Sequence, residues 1–66
     1  MDMTIKTKDY IYIFEFKFNK SAEEALQQIN EKGYAEPFAK DGRNIIKIGV
    51  NFSTECRNID KWIISQ

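Results

Sequence analysis

The run Tyr-Ile-Tyr-Ile-Phe-Glu-Phe-Lys-Phe at residues 10–18 limits the fold more than any other part of the chain. It is β-branched, aromatic or charged throughout and lacks Gly and Pro, and such residues favour a strand. Side chains alternate across a strand. Tyr10, Tyr12, Phe14, Phe16 and Phe18 therefore share one face, and Ile11, Ile13, Glu15 and Lys17 share the other. Both faces are apolar over the first half of the run, which predicts a central strand covered on both sides.

The remaining segments arrange themselves around that strand. Residues 2–7 alternate loosely and predict a shorter strand, joined to the long one through Lys8-Asp9. Ser21-Ala-Glu-Glu24 is a capping box: the serine hydroxyl can accept from the Glu24 amide, and Glu24 can reach back. A helix over 22–32 should follow, with Ala22, Ala25, Leu26 and Ile29 as its apolar stripe. Gly33 suits the left-handed position that ends it. Residues 34–39 read as a second short helical turn, with Pro37 tolerated near its start. After an Asp41-Gly42 turn, residues 44–52 predict a strand with Ile46, Ile48, Val50 and Phe52 on one face. Residues 59–64 predict a last, edge strand. Gly49, inside its strand, marks either a close backbone approach or a bulge. The order is β-β-α-β-β. Its central strand–helix–strand is long enough for a parallel, right-handed crossover. The expected class is α/β, with a mixed sheet and one main helix.

Composition narrows the function. The chain has 66 residues, enough for one domain at most. A chain of this size buries only about 60% of its unfolded surface. Its single Cys56 cannot staple it internally, so a partner chain is a further source of stability. Ten basic and ten acidic residues cancel, without the basic excess of a protein that holds nucleic acid through its phosphates. There is no His, which excludes His-based catalysis and His metal sites. No apolar run approaches the ~20 residues of a membrane-spanning helix. The start lacks the layout of a signal peptide, and with one cysteine this points to the cytoplasm.

Glu15 and Lys17 are the residues that can carry chemistry. They lie two apart near the end of the most apolar strand, so a carboxylate and an ammonium point into the same space. From spacing alone the pair reads first as a solvated ion pair. The second reading is a metal site: the carboxylate holds Mg²⁺ through oxygen, and the lysine orients a water or offsets charge on a phosphate. Asp2, on the adjacent strand, can add a second carboxylate to the same ion. Cys56 has no His base and reads as a passive side chain. Asp41-Gly42 is followed by no ligand series and is a turn. Trp62 reads as core rather than as a platform for a nucleobase.

The stretch from Asp2 through Tyr-Ile-Tyr-Ile-Phe-Glu-Phe-Lys17 continues into Ser-Ala-Glu-Glu-Ala-Leu-Gln-Gln-Ile-Asn-Glu-Lys-Gly-Tyr34 and Ile-Lys-Ile-Gly-Val-Asn-Phe-Ser53. Together these segments resemble the C-terminal nuclease-like domain of bacterial AAA-ATPase-like proteins, within the PD-(D/E)XK nuclease superfamily. The resemblance covers essentially the whole chain. It implies a restriction-endonuclease-like fold, with Asp2 as the motif aspartate and Glu15 and Lys17 as the (D/E)XK pair. It implies Mg²⁺ or Mn²⁺ as cofactor, the Phe16 carbonyl as a further metal ligand, and DNA or another nucleic acid as substrate. Gln28 and Tyr34 fall where related nucleases carry a helix-borne Gln and Tyr near the site, although their mutual spacing here is not the usual one.

The resembled domain also has an N-terminal half. It contains a helix with another acidic residue, a first strand, and a glycine and a basic residue ahead of the motif aspartate. Residues 1–66 are therefore expected to be a partial, truncated domain, a partial restriction-endonuclease-like fold whose intact parent hydrolyses phosphodiester bonds. The fragment itself is expected to be inactive, because Asp2 sits near a terminus where fraying leaves a ligand poorly preorganised. A competing expectation is a non-catalytic interaction module, a homo-oligomer formed through an exposed strand edge beside residues 2–7. A third is a folded fragment with no function of its own.

Overall fold

A computed structural model describes residues 2–66 of the chain. The elements are β1 (Asp2–Lys6), β2 (Tyr10–Phe18), α1 (Ala22–Glu31), a 3-10 turn at Glu36–Phe38, β3 (Asn44–Ser53) and β4 (Asn58–Ser65). The strands form one sheet in the order β1-β2-β3-β4. The outer pairs are antiparallel and the central β2–β3 pair is parallel. This is the mixed sheet, crossover and single main helix expected from the sequence. β1 and β4 are its edges.

Local chemistry explains the elements. The Ser21 hydroxyl accepts from the Glu24 amide at 3.0 Å and caps α1. Gly33 follows with φ of 65°, where a side chain would be strained. The helix stripe buries Ala22, Ala25 and Ile29 completely against the sheet. Ile11 and Ile13 of β2 meet Ile29 to form the core, with Leu26, Tyr34, Phe38 and Ile45 packed around it.

Gly49 resolves the alternative left open by sequence. A Cβ there would stand 2.5 Å from the Ala22 carbonyl oxygen and 2.7 Å from the Leu26 backbone nitrogen. The helix backbone therefore rests directly on β3. The irregularity in the sheet lies further along, where Asn51 faces Lys61 but Phe52 faces Ile59. Asp60 is the extra residue of that bulge.

Both ends of the crossover are tied down. Asn19, at φ of 56°, donates its backbone N–H to the Phe52 carbonyl at 2.9 Å. Its side chain donates to Thr54 Oγ1 at 2.6 Å and accepts from the Thr54 amide at 3.1 Å. At the other end, the Arg43 guanidinium donates to the Asp41 carboxylate and to the Thr7 carbonyl.

Two expectations fail together. β2 was predicted to be covered on both faces and Trp62 to lie in the core. The helical layer covers one face only, and Trp62 is 61% exposed on the other. An apolar strand shows what tolerates burial, and among the described residues α1 is the only α-helix packed on it.

Candidate functional site

Alternation along β2 turns Glu15 and Lys17 toward α1, where Glu15 is completely buried. Gln28 of α1 stands over both. Its Nε2 donates to Glu15 Oε1 at 2.5 Å, and its Oε1 accepts from Lys17 Nζ. One amide thus joins a carboxylate to an ammonium, giving each a partner of complementary polarity. Burial of a carboxylate is tolerated when charge-assisted hydrogen bonds meet it. Gly49 is the register partner of Glu15. Its missing side chain lets α1 come close enough for Gln28 to reach.

Asp2 is the register partner of Glu15 on β1. It is exposed and shares the α1 face, with Cα atoms of such pairs about 4.5–5.5 Å apart. Phe16 turns its ring to the opposite face and leaves only its backbone carbonyl in the plane of the sheet. Tyr34 is brought elsewhere. It follows the end of α1 and packs against Ile11, Ile13 and Ile29, toward the start of β2 and away from Lys17. The structure therefore gathers Asp2, Glu15, Lys17 and Gln28, with Phe16 beside them, and sets Tyr34 apart.

The oxygen donors suit a hard cation. Two carboxylates on adjacent strands, with a carbonyl nearby, are the kind of set through which Mg²⁺ binds while it keeps several waters. Among the described residues there is no group of three or more His, Cys, Asp or Glu side chains placed to hold an ion. The fit therefore rests on two carboxylates and a backbone oxygen.

Sequence reasoning did not single out Asn51, which is buried opposite Lys17. It accepts from the Lys20 amide at 2.9 Å and donates to Asp60 Oδ2 at 3.2 Å. This fixes the chain between β2 and α1 just beyond the site. The available signal was an amide set between Val50 and Phe52 in the apolar second half of the strand. At the rim, Lys61 bonds Glu23 at 2.9 Å. That hydrogen bond holds the Glu23 carboxyl below its ordinary value and raises the Lys61 ammonium. A groove of about 320 Å³ opens beside the amide bridge, lined by Lys17, Lys20, Glu24, Gln27, Gln28 and Glu31.

A Glu-x-Lys pair on a central strand of a mixed sheet, its glutamate buried beneath the crossover helix, defines a class. The chain belongs to the PD-(D/E)XK nuclease superfamily, whose family model matches residues 1–62. It is also 36% identical over 66 residues to a protein of Azotobacter chroococcum mcd 1 described as an uncharacterized protein in the vnfD 5' region. That alignment takes in 97% of this chain and 13% of the other protein, so the chain spans a small part of the relative's length. No solved structure matches the chain.

Proposed function

We propose that this chain is the cation-binding part of a nuclease domain that cleaves phosphodiester bonds in DNA or another nucleic acid. The observation that carries this reading is the Lys17–Gln28–Glu15 bridge. A solvated ion pair, the alternative from spacing alone, would need neither burial nor a third residue. Asp2, Glu15 and the Phe16 carbonyl would hold Mg²⁺ or Mn²⁺. When bound, such an ion lowers the pKa of a water and offsets charge on the phosphate. Lys17 orients the attacking water or neutralises charge on the phosphate oxygens. Gln28 holds Glu15 and Lys17 at a fixed separation. Tyr34 is assigned to packing rather than chemistry.

The acidic and basic residues balance, so the phosphate contacts that bind a long substrate come from elsewhere in a larger protein. A parent carrying an AAA-type ATPase, acting in the cytoplasm, agrees with the family resemblance. Residues 1–66 alone are inactive in this reading. Asp2 is exposed on an edge strand and is less firmly placed than Glu15.

Calorimetry with Mn²⁺ tests the site on the chain as it stands. The wild type gives saturable binding. Glu15→Gln and Asp2→Asn abolish or greatly weaken it, with circular dichroism unchanged. Lys17→Met leaves binding in place, since Lys17 is not a ligand. A flat wild-type titration, or one that both carboxamide variants reproduce, rejects the proposal.

A further inference from the structure

Lys20 combines a fixed backbone with an uncommitted charge. Its amide donates to Asn51 Oδ1 at 2.9 Å. Asn51 is buried and is the register partner of Lys17 on β3. The residue before it, Asn19, is bonded to Phe52 and to Thr54. The turn that leaves β2 is thus pinned to the end of β3 at two successive residues. The Lys20 side chain is exposed and, among the described residues, forms no hydrogen bond or ion pair. Other lysines on the α1 face are committed within the chain. Lys17 donates to Gln28, Lys47 to Asn30 and Lys61 to Glu23. A binding group works best with a firmly held root and a head left for its ligand, and Lys20 has both.

Lys17 and Lys20 line one side of the groove of about 320 Å³ beside the amide bridge, and α1 lines the other with Glu24, Gln27, Gln28 and Glu31. Its volume lies at the small end of ligand sites. We propose that this groove receives one phosphate of a nucleic-acid backbone, with Lys20 and Lys17 as its cationic contacts. An ammonium has three hydrogens to donate. Gln28 takes one from Lys17, and those of Lys20 are left for a ligand. Of the two carboxylates, Glu31 accepts from Gln27 Nε2 at 2.7 Å and is held along the helix. Glu24 has no such bond among the described residues and opposes an anion, which keeps the contact weak. A single phosphate contact orients a substrate rather than holding it, in keeping with a chain whose charges balance. The inference rests on the nuclease reading for the nature of the ligand.

Titration of the 66-residue chain with tetrathymidylate in EDTA, followed by backbone amide shifts in NMR spectra, tests this. No divalent cation takes part, so failure here leaves the Mn²⁺ titration standing, and a flat Mn²⁺ titration leaves this result standing. The amides of Lys17, Lys20, Gln27 and Gln28 are expected to shift and saturate. Lys20→Met weakens binding severalfold and lowers the slope of log affinity against log salt by about 0.7, the amount for one contact to a single strand. Lys40→Met removes the same charge from an exposed lysine at the other end of the crossover and has the smaller effect. Glu24→Gln tightens binding, and glutamine serves as well as glutamate at that position of a capping box. These positions are exposed, and circular dichroism confirms that the variants fold. Groove amides that stay unmoved at millimolar oligonucleotide overturn the proposal. So does a Lys20→Met variant that binds as the wild type does. A Lys40→Met variant that loses as much affinity as Lys20→Met overturns it too, because the attraction would then belong to the overall charge.

Discussion

Replacing Gly49 with alanine tests the link between packing and site. Gly49 does not lie at positive φ, so alanine brings no backbone strain. It brings a collision. The new Cβ would stand 2.5 Å from the Ala22 carbonyl oxygen and 2.7 Å from the Leu26 nitrogen, where ordinary contact begins near 3.4 Å. Both obstacles are backbone, so no side chain can swing aside and α1 must lift by most of an ångström. Overpacking of this sort costs about 1–3 kcal/mol, and the absence of a flexible neighbour points to the upper half. A domain of this size holds only about 3–5 kcal/mol, and each kcal/mol moves the Tm by about 4–8 °C. Gly49→Ala should therefore lower the Tm by roughly 10–20 °C in a circular dichroism melt. Gly42→Ala is the control. Gly42 has φ of 94° with nothing within 4 Å of an added Cβ, so only conformational strain of about 1 kcal/mol applies. Lifting α1 also draws Gln28 away from Glu15, so Mn²⁺ affinity should fall in whatever fraction remains folded. A Gly49→Ala melt no lower than that of Gly42→Ala would refute the reasoning.

Asn51→Ala leaves the Lys20 amide and the Asp60 carboxylate without their partner; a loss of about 1–3 kcal/mol is expected, read as a lower urea midpoint. The Glu23–Lys61 pair should show a pH-dependent coupling in a double-mutant cycle. Glu23 is held below its ordinary 4.5, so its contribution is full above that pH and disappears as pH falls through the folded value. Lys61 is raised above 10.5, so its contribution is full below that pH and is lost as pH rises through the folded value. The pair is exposed, and salt should screen the coupling at every pH. A coupling that persists in strong acid would contradict this account.

Much of the fold was legible because it is local. The period of two along 10–18 placed Glu15 and Lys17 on one face, and the Ser21–Glu24 spacing with Gly33 set both ends of α1. What escaped depends on contacts between distant segments. Gly49 carried two meanings until the path of α1 was known. The bulge at Asp60 adds one residue to β4 without any Gly or Pro to announce it, so the bond to Asn51 could not be anticipated. The openness of the second face was invisible because Phe14 or Val50 has the same pattern whether or not a layer covers it. Within the site, Glu15 and Lys17 followed from alternation. Gln28 entered through family resemblance, because its place at the border of the helix stripe says nothing of what lies opposite. Tyr34 entered the same way, and the close of α1 carries it into the core.

The parallel seam between β2 and β3 has a consequence for assembly. Each hairpin joins neighbours in sequence, whereas the seam sets Tyr10 opposite Asn44 across the whole crossover. Closing so long a loop costs entropy before any contact repays it. The hairpins are thus free to form early, and the seam with its overlying helix comes last. Glu15 and Lys17 lie on that seam and Gln28 on the helix above it, so the bridge that joins the carboxylate to the ammonium closes only once seam and helix have come together.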